Sequence, residues 1–174
     1  MKEDAIDRLF LNFSSSKLRE LLSRIEACLE KLNDDQVWAR GGENENAVGN
    51  LVLHLCGNVR QWIISGVGGA PDSRQRDGEF AAHGGPSAAQ LRERMTATVL
   101  EATTVLDGVT AQRLSDRLTI QGYEGSVLDA IYHVVEHFAM HTGQIIFVTK
   151  MLTGTDLGFY RHLSSSAAHS HKTP

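Results

Sequence analysis

The stretch HVVEHFAMHTGQI (residues 133–145) places three histidines at four-residue intervals, His133, His137 and His141. In an α-helix, side chains four residues apart lie on one side, about 5–6 Å from each other at the Cβ atoms. The stretch belongs to a longer pattern of helical apolar spacing over about residues 126–152. It therefore predicts one long helix and marks that helix as a candidate metal site.

Three further segments have the same helical spacing of apolar residues. They run from about Asp4 to Leu32, from about Ala47 to Ser65 and over about residues 87–107. A glycine-rich connection of 22 residues (66–87) follows the second of them, and RLTIQGYEGS (117–126) is typical of a short extended or turn segment. Four long helices without a convincing strand pair predict an all-α protein, a four-helix bundle.

Composition narrows the class of protein. A chain of 174 residues with 41% hydrophobic and 22% charged residues is typical of one soluble domain with a substantial core. The net charge of −4, the absence of any Lys/Arg cluster and the lack of ~18 uninterrupted apolar residues argue against nucleic-acid and membrane partners. We expect a cytoplasmic protein with a bundle domain over residues 1–155 and a polar, partly disordered tail over residues 156–174.

The direction of the core follows from stepping about 100° per residue along the last helix. Its apolar residues cluster around one direction, and they are Val127, Ile131, Val134, Phe138, Ile145 and Leu152. Relative to that direction His141 lies about 40° away, His137 about 80° and His133 about 120°. We therefore expect His141 to lie inside, His137 at the margin of the core face and His133 on the outer flank, which makes His137 and His141 the better pair of ligands. Such a pair can bind one divalent ion, zinc and nickel among others, but it also occurs without a metal.

A third ligand has to come from another helix, and His54 in NLVLHLCGNVRQWI (50–63) is the best candidate. A polar ring in so apolar a helix costs free energy unless it has a partner. His54 shares its face of the helix with Asn50, Asn58 and Gln61. The spacing leaves two interpretations open, because this polar stripe either faces solvent or lines a polar cavity in the bundle.

At these residues the chain resembles the DinB-like superfamily of metal-dependent enzymes, which includes damage-inducible and YfiT-related proteins. The resemblance covers about residues 5–155 and rests on HLCGN (54–58) and on H-x-x-x-H-x-G-Q-I (137–145). RDGEF (76–80) is similar to one uncharacterised branch of the superfamily.

The resemblance implies a bundle in up-down-down-up order, a homodimer, and a divalent metal ion held by His54, His137 and His141. It thereby favours the cavity interpretation for His54. The superfamily contains enzymes that similarly use the metal to activate a low-molecular-weight thiol for transfer or isomerisation. The resemblance therefore implies a metal-dependent thiol S-transferase that acts on a small-molecule substrate. A metal-dependent hydrolase and a non-enzymatic, stress-associated metal-binding protein are the alternatives.

Other polar residues near this site have simpler explanations. Arg76, Asp77 and Glu79 can reach the mouth of the site, but turn polarity explains them more simply because Asp-Gly turns are common. Arg76 is of more interest, since a guanidinium binds carboxylates. Asn58 either lines the cavity or bonds to solvent. No general base is evident, because Glu136 lies about 100° around the helix from its neighbour His137.

The second helix is apolar around most of its circumference. Trp38 and Trp62 also need cover from solvent. These features predict a homodimer with a helical interface.

Overall fold

The computed structural model describes residues 3–163 of the chain, with side chains from residue 6 onward. Its helices are α1 (Glu3–Leu29), α2 (Asp34–Val37), α3 (Val48–Val59), α4 (Arg76–Ala81), α5 (Ala88–Asp107) and α6 (Val127–Thr153). A π-helical segment (Arg60–Val67) continues α3, and short 3₁₀ turns span Ala111–Ser115 and Arg161–Leu163. The strands β1 (Arg117–Ile120) and β2 (Tyr123–Ser126) precede α6. The predicted four-helix bundle is confirmed, with α1, α3, α5 and α6 as its long helices.

The long helices pack so that α1 and α3 each contact both α5 and α6. Three side-chain contacts show how the long helices run relative to one another. These contacts are Arg92–Glu30 between α5 and α1, Trp62–His133 between α3 and α6, and Cys28–Thr149 between α1 and α6. The first two contacts join the start of one helix to the end of another, so those helices are antiparallel. The third contact joins the end of α1 to the end of α6, so these two helices are parallel. The four helices therefore run up, down, down and up along the chain.

The expectation that no strand pair exists was wrong. Residues 117–126 form an antiparallel hairpin in which Ile120 pairs with Tyr123. Gln121 and Gly122 between them have φ angles of 54° and 80°, as a tight two-residue hairpin turn requires. Ile120 is buried against Gly66, where an added Cβ would overlap its side chain. Strands of four residues are too short for alternation to signal them in the sequence.

The long connection over residues 66–87 contains helix α4, which folds back onto α3. Asn50 on α3 donates from Nδ2 to the carbonyl oxygens of Glu79 and Ala82, at 2.9 and 2.8 Å. Arg40 donates to the carbonyl oxygens of Phe80 and Ala82, at 3.1 and 2.6 Å. These bonds satisfy carbonyl groups at the C-terminal end of α4 from outside it, so a helix of only six residues is held in place.

The chain after α6 also packs against the bundle. Leu157 and Phe159 are partly buried against the core, and the Arg24 guanidinium lies 5.8 Å from the Phe159 ring centroid. Residues 164–174 of the predicted tail lie outside the described residues, so the boundary at residue 155 stays a prediction. None of the helices within residues 3–163 is long and apolar enough to cross a membrane.

The centre of the bundle yields the first prediction. Phe138 on α6 is 0% exposed, whereas Leu100 on α5 is 54% exposed. Phe138→Ala should lower the free energy of unfolding by about 3–5 kcal/mol, because it leaves a large cavity in the core. Leu100→Ala, the control at an exposed apolar position, should change it by no more than about 0.5 kcal/mol. Urea unfolding followed by circular dichroism measures both, and similar losses in the two variants would contradict this core.

Candidate metal centre

Three histidines meet where α3 and α6 face each other. His54 projects from α3, and His137 and His141 project from α6, with ring centroids 4.5–5.1 Å apart. The Nε2 atoms of His54 and His137 are 2.8 Å apart, and one nitrogen from each of the three rings lies within 4.8 Å of the others. Two nitrogens that bind one ion at ~2.0–2.1 Å are about 3–4 Å apart, so small side-chain movements let this cluster hold an ion. It is the one such cluster within residues 3–163.

The protein keeps the α6 histidines of this cluster neutral. Burial lowers the pKa of His137 to about 3, with the neighbouring imidazoles of His141, His54 and His133 and the Arg74 charge adding to the effect. Burial also lowers the pKa of His141, although its hydrogen bond with Gln144 opposes the shift. A histidine binds a metal only when it is neutral. Both rings are therefore in the form that a metal ligand needs near pH 7.

Hydrogen bonds at Nδ1 orient two of the rings. Nδ1 of His54 lies 3.0 Å from Oε2 of Glu79, and Nδ1 of His141 lies 2.6 Å from Oε1 of Gln144. Ionised carboxylate and amide carbonyl oxygens only accept hydrogen bonds, so each Nδ1 donates to its oxygen; Nη2 of Arg74, 3.1 Å from Nδ1 of His54, makes its shorter bond of 2.8 Å to Oε2 of Glu79. The lone pair of each ring is then on Nε2. Such partners at the other ring nitrogen accompany nearly all metal-binding histidines in proteins.

Glu79 is itself held by Arg74. The guanidinium donates from Nε to Oε1 and from Nη2 to Oε2, both at 2.8 Å, and the two side chains are only 3% and 10% exposed. Burial alone would raise the pKa of Glu79, but the hydrogen bonds from Arg74 and His54 outweigh it and lower the pKa. The carboxylate is therefore charged, and it has a fixed position beside His54.

Gly57 explains how this ion pair lies so close to α3. A Cβ at Gly57 would overlap the Glu79 carboxylate and crowd Nε of Arg74. Only glycine leaves the ion pair room to pack directly on the helix backbone. The glycine of HLCGN therefore makes room for the ion pair that supports His54 of the same motif.

A cavity of about 400 Å³ opens beside the cluster, with His54 and His137 in its wall. Asn58 is buried and also lines it, so the part of the polar stripe formed by His54 and Asn58 faces a cavity, whereas α4 covers Asn50. His133 lines the cavity as well, half-buried against Trp62 with ring centroids 4.3 Å apart. Its expected place on the outer flank was wrong, because the π-helical segment and the hairpin cover that flank of α6.

A known protein family matches most of this chain. The model of the family described as protein of unknown function (DUF1572), a DinB-like family, matches residues 5–166. The chain belongs to this family. Comparison with curated proteins gives no significant match.

Solved structures similar to this DUF1572 member share its fold at low identity. A conserved protein from Enterococcus faecalis is 16% identical with a TM-score of 0.68, over 83% of this chain and 97% of that one. A DinB-like protein from Bacillus subtilis is 16% identical with a TM-score of 0.66, over 84% and 96%. One from Bacillus cereus is 15% identical with a TM-score of 0.63, over 79% and 88%. At such identities the likeness shows the fold alone.

The RDGEF segment of this DUF1572 protein plays a larger part than turn polarity. Asp77 is exposed, but Glu79 is buried beside His54, so the turn interpretation was wrong for Glu79. Arg76 is exposed and lines the cavity. Arg74, which sequence reasoning missed, holds Glu79. No spacing signal marks Arg74, because its partners lie on α4 and α3 and meet it only after folding.

The buried ion pair yields the second prediction. Arg74→Met should lower the free energy of unfolding at pH 7 by about 3–5 kcal/mol, because it leaves the Glu79 charge buried without its main partner. Since the folded protein lowers the pKa of Glu79, its stabilising contribution is present above the unfolded pKa and is lost as pH falls through the folded one. The difference between the wild type and the variant should therefore shrink in acid.

Arg92 is the matched control, since it pairs with Glu30 at a surface where the side chains are 41% and 57% exposed. Arg92→Met should cost less than about 1 kcal/mol in the same urea titrations. Equal losses for the two arginine variants, or a difference that stays constant with pH, would contradict the role given to Arg74.

Proposed function

We propose that this protein is a divalent-metal-dependent enzyme in which His54, His137 and His141 bind the ion. The observation that supports this most is the convergence of three imidazoles, with the two Nδ1 bonds leaving Nε2 of His54 and His141 to bind the ion. An all-imidazole set suits zinc and nickel, which we propose as the candidate metals. The adjoining cavity gives a substrate access to the ion.

The narrower activity we propose is transfer of a low-molecular-weight thiol to a small electrophilic substrate. A divalent ion held by three imidazoles supplies an open coordination position and lowers the pKa of a thiol that occupies it. The chain's own residues do the rest. Arg74 and Glu79 hold His54 in place, and Trp62 packs on His133 in the cavity wall.

His133 is the residue we propose as proton acceptor. Burial lowers its pKa, so its ring is neutral near pH 7. It lines the cavity four residues before His137, and its Nε2 makes only a long contact, 3.5 Å, with Nδ2 of Asn58. A thiol proton released in the cavity can therefore pass to Nε2 of His133. Glu79 is not available for this task, because Arg74 and His54 occupy its oxygens.

The homodimer stays a prediction, but its interface needs another location. The two tryptophans need no partner chain to cover them, because Trp62 is buried within the monomer, and Trp38 packs on Gly49 and donates to the carbonyl oxygen of Pro86 at 3.1 Å. The neighbouring helices α1 and α6 expose large apolar side chains instead, namely Ile6, Leu9, Phe13, Leu128, Tyr132, Phe147 and Met151. We propose that two copies pair through this face of α1 and α6.

The third prediction concerns the ligands. His54→Ala, His137→Ala and His141→Ala should each abolish stoichiometric zinc binding, because two imidazoles bind an ion far more weakly than three. Equilibrium dialysis with metal analysis measures this on protein purified without a nickel column.

His133→Ala is the matched control for that series. It should keep stoichiometric zinc while turnover falls by about 10²–10⁴, since it removes the proton acceptor and no ligand. Loss of zinc in His133→Ala with retention in His141→Ala would reverse the assignment of ligands.

The fourth prediction separates the candidate activities. When a cellular thiol is added to the cobalt-substituted protein, a new sulfur-to-metal charge-transfer band should appear, because a thiolate is a soft ligand for the open position. Absence of the band with every thiol tested would remove thiol transfer. Turnover of an ester or amide without any thiol would then support the hydrolase, and a fully loaded protein with neither response would be a metal-binding protein without turnover.

A further inference from the structure

The cavity beside the histidines has the size of a small-molecule binding site. Its volume of about 400 Å³ lies within the ~300–1,000 Å³ range of ligand pockets. The inner end reaches His54 and His137, Trp62 lies in its wall, and the hairpin and α4 contribute to the rest of the lining. Three features of its charged and polar groups point to one class of ligand.

The first feature is a cation with no acidic partner. The Arg76 guanidinium lies 5.0 Å from the Phe80 ring centroid and makes no ion pair with any described residue. Arg74, the other arginine of the cavity, is bonded to Glu79 and to Oε1 of Gln61. The aromatic face positions Arg76 without neutralising it. Such a guanidinium is suited to bind a carboxylate from the ligand.

The second feature is negative charge contributed by the hairpin and the start of α6. Asp129 uses Oδ2 to accept hydrogen bonds from the backbone N–H and the hydroxyl of Ser126, at 2.8 and 2.7 Å. Its Oδ1 makes no bond within the described part of the chain. Glu124 lies 4.0 Å from Arg117, and both side chains are exposed, so solvent screens that pair. The two carboxylates are thus available to an ammonium group.

The third feature is a pair of unsatisfied polar atoms on neighbouring turns, one at the end of α3 and one in the π-helical segment that continues it. Oδ1 of Asn58 and Nε1 of Trp62 are buried and have no hydrogen-bond partner among the described residues, although both residues line the cavity. Buried polar atoms in folded proteins almost always have partners, which here a ligand or water has to supply. One secondary amide satisfies both, because its N–H donates to Oδ1 and its carbonyl accepts from Nε1.

We propose that the cavity binds a short peptide-like zwitterion. Arg76 binds its carboxylate, Asp129 and Glu124 attract its ammonium group, and Asn58 and Trp62 bond to its amide. This inference deepens the proposed function and rests on it for the identity of the ligand. If the protein transfers a thiol, the zwitterion is the thiol substrate, a small cysteine-containing peptide whose sulfur points towards His54 and His137. The recognition of charge and amide does not depend on the sulfur.

The test uses the zinc-loaded full chain and S-methyl-L-cysteinylglycine, which carries the ammonium, amide and carboxylate groups but no free thiol. Isothermal titration calorimetry should show saturable binding with one site per chain. The N-acetyl form, which lacks the ammonium group, and the C-terminal amide form, which lacks the carboxylate, should each bind about tenfold more weakly.

Variants then assign each charge to a residue. Arg76→Gln should bring the affinity for the free acid down to that for the C-terminal amide, and Glu124→Gln should reduce the discrimination against the N-acetyl form. Both side chains are exposed, so neither change should disturb folding, and far-UV circular dichroism checks this. Arg92→Gln and Glu93→Gln, on the exposed surface of α5, are the matched controls and should leave every affinity unchanged.

Equal binding of the three analogues, unchanged discrimination in Arg76→Gln, or no saturable binding at millimolar concentration would each overturn the inference. The cobalt spectrum keeps the two proposals apart. A charge-transfer band with L-cysteinylglycine but no discrimination among the S-methyl analogues would leave thiol transfer standing and remove the zwitterion site. Discrimination among the analogues without any charge-transfer band would do the reverse.

Discussion

The buried ion pair between Arg74 and Glu79, bonded to Nδ1 of His54, is the interaction on which the site depends. Two charges removed from water are costly unless their hydrogen-bonding capacity is satisfied. Here both carboxylate oxygens are bonded, and the absence of a side chain at Gly57 lets the pair lie against α3. The same bonds hold the imidazole of His54 in place. A stretch of loop thereby becomes part of the candidate metal centre.

Different parts of the chain therefore supply and enclose the site. The long helices α3 and α6 supply the three histidines, and the hydrophobic core keeps those helices in register. The connecting segments supply α4, the hairpin and the ion pair, which together cover the polar stripe of α3. This division between helices and connections has a physical reason, since burying a polar stripe requires a hydrogen-bond partner for each of its groups. The connections provide those partners for Asn50 and His54, and we propose that a ligand provides one for Asn58.

Periodicity predicted much of the candidate site but not its surroundings. It indicated that His137 and His141 turn inward, and the resemblance to DinB-like proteins added His54; the structure brings these three together. It misplaced His133. The spacing of apolar residues shows which side of a helix faces the bundle core, but it gives no information about a cavity beside that core. Glu79 was assigned to a turn and Arg74 was overlooked, since neither belongs to a repeating pattern.

The sequence by itself determined the four long helices, because apolar residues at helical spacing over four or more turns leave few other ways to bury them. It also determined which faces of α6 enter the core. Only the tertiary structure decided that His54 and Asn58 face a cavity, that residues 117–126 pair as strands, and that Arg74 reaches Glu79. Each of these depends on contacts between segments that are distant from each other or too short to show a period. Local spacing carries no information about such contacts, and packing alone establishes them.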